Sequence, residues 1–190
     1  KQEQDWGMGA DQKQLIERVA GLPFWTGAPR IDPVKGGMTN ANFAVSDKRG
    51  KYFVRLGEDI PAHGVLRFNE YAASQAAAEC GLSPPILHTA PGVLVFQWID
   101  GKALAADDLK DDGMIARAVA LVKSCHEDVP KYLRGPVLSF WVFQIIRSYI
   151  AQLRENNSQY INDFARFSTI TDELEAAIGD IHLVFGHNDL

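Results

Sequence analysis

Cysteine is scarce in these 190 residues: Cys80 and Cys125 are the only two, each inside a helical pattern and far apart in the chain. They make no disulfide framework, and the reading they favour is two buried free thiols in a reducing cytoplasm. No two of the five histidines stand at ligand spacing such as H-x-x-x-H, so a zinc site has no support. No apolar run approaches ~18 residues, so no helical membrane span is expected. The polar start Lys1-Gln-Glu-Gln-Asp5 is followed by no signal-peptide apolar region, and a cytoplasmic location is expected. Basic runs are missing as well. With 19 Lys and Arg against 24 Asp and Glu, a net charge of −5 and no RNA-binding signature, nucleic acid is not expected as a partner. No internal repeat or low-complexity segment breaks the chain.

What is present is ordinary globular composition, 46% hydrophobic and 23% charged, in a length that suits one large domain or two small lobes. Asp11 and Gln14 have capping-box spacing before Leu15, Ile16, Val19 and Leu22, which predicts a packing helix over about 11–20. From Arg30 the pattern changes to strands. Pro33 between Ile31 and Val34 marks an edge strand, Phe43-Ala-Val45 and Tyr52–Leu56 flank the turn Asp47–Gly50, and Ile86-Leu87 pairs with Val93–Phe96 across Ala90-Pro-Gly92. An alanine-rich helix over Val65–Cys80 crosses this sheet, ended by Gly81 and Pro84-Pro85. After Gln97-Trp-Ile-Asp-Gly101 helical periodicity takes over. The expected helices are Leu109–Asp128, well buried and stopped before Pro130; Ser139–Arg154, with core aromatics Phe140, Trp141, Phe143 and Tyr149; Tyr160–Phe167; and Thr171–Gly179. The fold class is therefore α+β, with residues 1–97 as one lobe, 98–101 as a hinge and 102–190 as a mostly helical second lobe.

Three places carry candidate chemistry. Gly36-Gly37 sits at a hairpin tip with Thr39 and Asn40 beside it, where backbone can approach a phosphate closely; an ordinary hairpin turn is the alternative, since the segment is neither G-x-G-x-x-G nor a P-loop. Arg55 lies on a strand among apolar neighbours, and a cation there wants an anionic partner, for which Glu70 on the crossing helix is the candidate. A strand-edge charge and a solvated helix carboxylate are the alternatives. Leu183-Val-Phe185 reads as a short buried strand ended by Gly186, which delivers His187, Asn188 and Asp189 to its end. The run His187-Asn-Asp-Leu190 has the H-x-D-L form of a kinase catalytic loop, whose aspartate accepts the proton of a substrate hydroxyl.

Taken in order, Lys35-Gly-Gly-Met-Thr-Asn40, Val54-Arg-Leu56, Phe68-Asn-Glu-Tyr71, Phe96–Gly101 and Gly186–Leu190 resemble the aminoglycoside phosphotransferase and choline kinase group. The choline/ethanolamine kinase branch is the most similar, through the Gly-Gly-Met-Thr-Asn loop and the arginine on the strand. The resemblance implies a bilobal, protein-kinase-like fold that moves the γ-phosphate of ATP to a small alcohol with Mg²⁺. It implies Gly36, Gly37, Thr39 and Asn40 as the flap over the phosphates, Arg55 as their cation and Glu70 as its orienter. The main chain of Gln97, Trp98 and Ile99 would receive adenine, Asp189 would be the base, and His187 would support the loop. The acceptor is expected to be an amino alcohol, choline or ethanolamine. An aminoglycoside, a sugar or a thiamine-like alcohol is the alternative, as is a kinase-like module that only binds. The family's metal-binding asparagine and aspartate follow the catalytic aspartate, so no metal ligand is expected within residues 1–190, and this stretch alone is expected to be inactive.

Overall fold

The computed structural model describes residues 8–34, 40–61 and 64–186, with side chains from residue 12 onward. The chain forms two compact units, one holding the chain up to Pro136 and again from Phe185, the other Val137–Val184.

In the first unit, α1 (Met8–Ala20) begins three residues before the predicted start at Asp11. Its apolar residues do what their spacing predicts: Val19 is buried, as is Leu22 just past the helix end, and Leu15 and Ile16 pack against the same cluster. Five antiparallel strands follow, β1 (Arg30–Val34), β2 (Ala41–Asp47), β3 (Gly50–Leu56), β4 (Ile86–Ala90) and β5 (Val93–Gln97), ordered β1-β2-β3-β5-β4. Pro33 stands on the edge strand, opposite Phe43, where its missing N–H costs the ladder nothing on the open side. Alternation sorts β3 between two faces. Tyr52, Val54 and Leu56 join Phe43, Val45, Val93 and Val95 under α1 as the core. Phe53 and Arg55 point to the opposite face, in register with Phe96 and Leu94 of β5.

Helix α2 (Arg67–Glu79) follows as a 13-residue helix with Ala76 fully buried. It ends where Gly81, at φ +80°, turns the chain and the Leu82 N–H reaches back to Ala77 O at 2.8 Å. Helix α3 (Asp112–Tyr132) starts on Asp111, whose carboxylate accepts the Met114 N–H at 2.7 Å. It packs against α2. Two expectations fail in α3. The helix runs through Pro130 to Tyr132, and only Val129 is fully buried, while Val119 and Leu121 are 61% and 57% exposed. The thiols of Cys80 and Cys125 are free, as expected, but half-buried. Burial, and then the neighbouring Cys80, push the Cys125 thiol up from its ordinary range.

The second unit is α4 (Val142–Glu155), a 3-10 turn at Ile161–Asp163 and α5 (Phe164–Ala177). Phe143, Ile150 and Phe164 form its small interior. Arg147 on α4 meets Asp172 at 2.6 Å and also bonds Glu175 on α5, which accepts the Trp141 indole N–H. The bond from Arg147, and then the bond from Trp141, hold the Glu175 carboxyl below its usual range. The stripe predicted for α4 is buried only in part: Phe140, ahead of the helix, is 66% exposed, and Tyr149 and Leu153 are exposed too. The two helices predicted on either side of residues 168–170 are one. Thr169 and Thr171 bond back to Ala165 O and Phe167 O, which satisfies their hydroxyls inside a continuous helix.

The expected buried strand at Leu183–Phe185 is absent. Residues 181–186 have no regular structure, and Leu183 is 82% exposed. A strand exists through its neighbours, and among the described residues none pairs with this segment.

Candidate functional site

The site grows from the alternation of β3. Arg55 is turned away from the core, so its guanidinium stands on the opposite face of the sheet from α1. Glu70, one turn into α2, reaches it: Arg55 Nη1 donates to Glu70 Oε1 at 3.1 Å. The ion pair expected between strand and helix is therefore present. Both partners are partly covered, with side chains 34% and 19% exposed, a setting that strengthens a charge pair relative to one on the open surface.

The pair is half of a larger cluster. Arg67, three residues before Glu70 and so on the same side of α2, donates through Nη1 to Glu70 Oε2 at 2.5 Å and to Asn40 Oδ1 at 2.7 Å. Its Nε–H goes to Glu58 O at 2.8 Å, and its main-chain N–H to Asp59 Oδ1 at 2.7 Å. The last contact is what begins α2, since Leu66 at the N-cap offers no side-chain acceptor. Gly57 lies under the guanidinium: a Cβ there would sit 2.5 Å from Asn40 Oδ1 and 2.6 Å from Arg67 Cζ. Arg67 and Gly57 were not singled out from sequence; the three-residue step from Arg67 to Glu70 was the available signal. Two N–H groups of the cluster, on Arg55 Nε and Arg67 Nη2, are buried and meet no partner among the described residues. The cluster borders a cavity of about 120 Å³ lined also by Tyr71, Thr89 and Leu94.

The remaining expected residues divide into two groups. Gln97, Trp98 and Ile99 lie away from the cluster, because Gln97 is opposite Tyr52 and so three residues along the ladder from Arg55. The Gln97 N–H is taken by Pro85 O at 3.1 Å. Trp98 bonds Asp100 through its indole N–H at 2.9 Å and carries the Lys51 ammonium 3.6 Å from its ring centre, while Ile99 is 62% exposed. Between these two places the sheet face is apolar, with the Phe53 and Phe96 rings 6.2 Å apart. Gly36, Gly37 and Thr39 of the loop, and His187 and Asp189 of the terminal motif, lie outside the described residues. Among the described residues, no three His, Cys, Asp or Glu side chains gather as a metal site.

A partly covered cation on a sheet, paired to a helix carboxylate, with an apolar strip leading to a strand exit, is an arrangement suited to a nucleotide. Comparison with known proteins gives this geometry a family. The family model described as choline/ethanolamine kinase matches residues 31–190. The chain belongs to that family. Among solved structures, a choline/ethanolamine kinase family protein from Mesorhizobium loti is 26% identical with a TM-score of 0.54, over 75% of this chain and 46% of that one. A choline kinase from Cryptosporidium parvum is 19% identical with a TM-score of 0.60, over 95% of this chain and 59% of that one. An ethanolamine kinase from Plasmodium vivax is 16% identical with a TM-score of 0.59, over 93% of this chain and 60% of that one. The last two likenesses speak for the fold, which is α+β and kinase-like as expected. No curated protein matches the chain. This choline/ethanolamine kinase family chain spans about half the length of the structures it resembles.

Proposed function

We propose that the full-length protein is an ATP-dependent phosphotransferase acting on the hydroxyl of a small amino alcohol, choline or ethanolamine. The observation that carries the proposal is the Arg55–Glu70 pair, sited on a sheet face in a chain of this family. In this reading the sheet lobe, residues 1–97, holds ATP, residues 98–101 are the hinge, and 102–190 begin the second lobe. Adenine lies toward Phe53 and Phe96 and bonds the main chain beyond β5. Because the Gln97 N–H is already donated, Trp98 and Ile99 are left to offer theirs. The phosphates lie at Arg55, whose orphaned Nε–H fits an added acceptor, with Gly36, Gly37, Thr39 and Asn40 as the flap above. Charge on the phosphoryl group would be neutralised by Mg²⁺ carried with ATP, for which no ligand is assigned among the described residues. Asp189 accepts the proton of the acceptor hydroxyl, and His187 supports the loop that carries it. Phosphoryl transfer asks for positioning and charge more than covalent help, and these residue types supply both.

The test is a substrate panel. Purified full-length protein is offered choline, ethanolamine and several aminoglycosides with Mg-ATP, and phosphorylated product is measured. Product with an amino alcohol is the expected result. Product with an aminoglycoside alone would reject the amino-alcohol assignment and keep the kinase. ATP binding with no product from an acceptor panel that also includes sugars and thiamine-like alcohols would favour a binding module.

A further inference from the structure

Glu70 has two carboxylate oxygens, and the cluster divides them: Oε1 goes to Arg55 and Oε2 to Arg67. The division has an electrostatic consequence. A lone Arg55–Glu70 pair could close bidentately, using two donors of Arg55 and cancelling its charge. With Arg67 holding Oε2, Arg55 gives Glu70 only Nη1, and among the described residues its Nε–H meets no partner. Two half-buried cations then share one carboxylate, so among the described residues the cluster keeps an uncompensated positive charge. The other acids nearby are engaged elsewhere. Glu58 pairs with Arg18 at 2.6 Å, and exposed Asp59 sits on the first N–H of α2, at the positive end of the helix dipole. Arg67 also holds Asn40, the first described residue after the Gly36-Gly37 segment, on the same Nη1 that holds Glu70.

We infer that Arg67 is a positioning residue for a polyphosphate anion: it draws Glu70 off Arg55, so that Arg55 keeps charge and donors for the ligand, and it ties Asn40 to the same carboxylate. This rests on the nucleotide reading of the site, and it names the residue that gives the site its charge. Arg67 itself is packed against Gly57, with its Nη2 buried, and acts through Arg55 and Asn40.

The experiment measures binding of adenosine, ADP and ATP by calorimetry to the full-length wild-type protein, Arg67→Gln and Arg67→Lys. Glutamine removes the charge, while lysine keeps it without the fork. The expected result for Arg67→Gln is a loss that grows with phosphate count, to roughly ten-fold for ATP, with adenosine held within about two-fold. That is the size of one unit charge acting over about 10 Å at an effective dielectric near 20. Arg67→Lys should recover most of the ATP affinity. Equal losses for adenosine and ATP would mean a purely structural role and overturn the inference, as would unchanged ATP binding. If Arg67→Gln does not fold, Arg67→Lys decides: ATP binding weakened ten-fold or more with adenosine intact contradicts the charge argument. A wild-type protein that binds no ATP defeats the nucleotide reading itself, whereas wild-type binding with indifferent variants defeats only the role of Arg67.

Discussion

At the scale of single residues, Gly57 is a position the cluster constrains closely. Its place is fixed by space, since a methyl there would meet the Arg67 guanidinium and Asn40 at about 2.6 and 2.5 Å, with its own N–H held by Gly92 O at 3.0 Å. Gly57→Ala should cost about 1–3 kcal/mol, the usual range for overpacking, because Arg67 is held by three other bonds and cannot yield freely. Denaturant unfolding of the variant measures this; a loss below the error of the method would show that the cluster is slack. Arg55 and Glu70 were legible in sequence because an arginine among apolar strand residues needs a partner, and the next helix offers a carboxylate. Arg67 was not. On a helix surface a basic residue three before an acid is commonplace, and only the fold reveals that Gly57 and Asn40 close around this one.

At the scale of elements, the β2–β3 turn shows how local chemistry sets a hairpin. The Asp47 carboxylate accepts N–H groups from Thr26 at 2.9 Å and Arg49 at 2.8 Å and pairs with the Arg49 guanidinium at 3.1 Å. Burial pushes the Asp47 carboxyl up, but those bonds and the Arg49 charge outweigh it and bring the group from an ordinary 3.8 down to about 2. A group whose folded pKa is lowered stabilises the protein above its unfolded value and loses that effect as pH falls through the folded one. The stability difference between wild type and Asp47→Asn should therefore be full at neutral pH and shrink between about pH 4 and pH 2. Thermal melts across that range check it, and a difference that stays constant down to pH 2 contradicts it. Elements that carry their own signals were readable: the α1 stripe, the Pro33 edge and the Gly81 stop all fall where the sequence puts them. Elements that depend on a neighbour were not. Leu183-Val-Phe185 has strand composition but no partner strand among the described residues, and Pro130 falls two residues before the end of α3, so the i→i−4 bond it removes is lost at the helix end and not in its middle.

At the scale of the whole molecule, the described residues give a sheet lobe with a cation–carboxylate cluster and a set of helices whose apolar faces are widely exposed. No helix among them is long and apolar enough to cross a membrane. The family is shown across residues 31–190, and the structures it resembles are matched over 46–60% of their length, so the activity proposed above is a proposal for the full-length protein. Labour in the proposed reaction is divided between two distant stretches of sequence: the cluster at Arg55 holds the phosphates, and Asp189 takes the acceptor proton. The most direct test is the turnover of full-length Asp189→Asn with Mg-ATP and the best acceptor, with ATP affinity measured on the same sample. A base contributes about 10²–10⁴-fold, so turnover should fall by that factor with ATP affinity preserved. Turnover near that of the wild type would remove Asp189 from the reaction and contradict the proposed division.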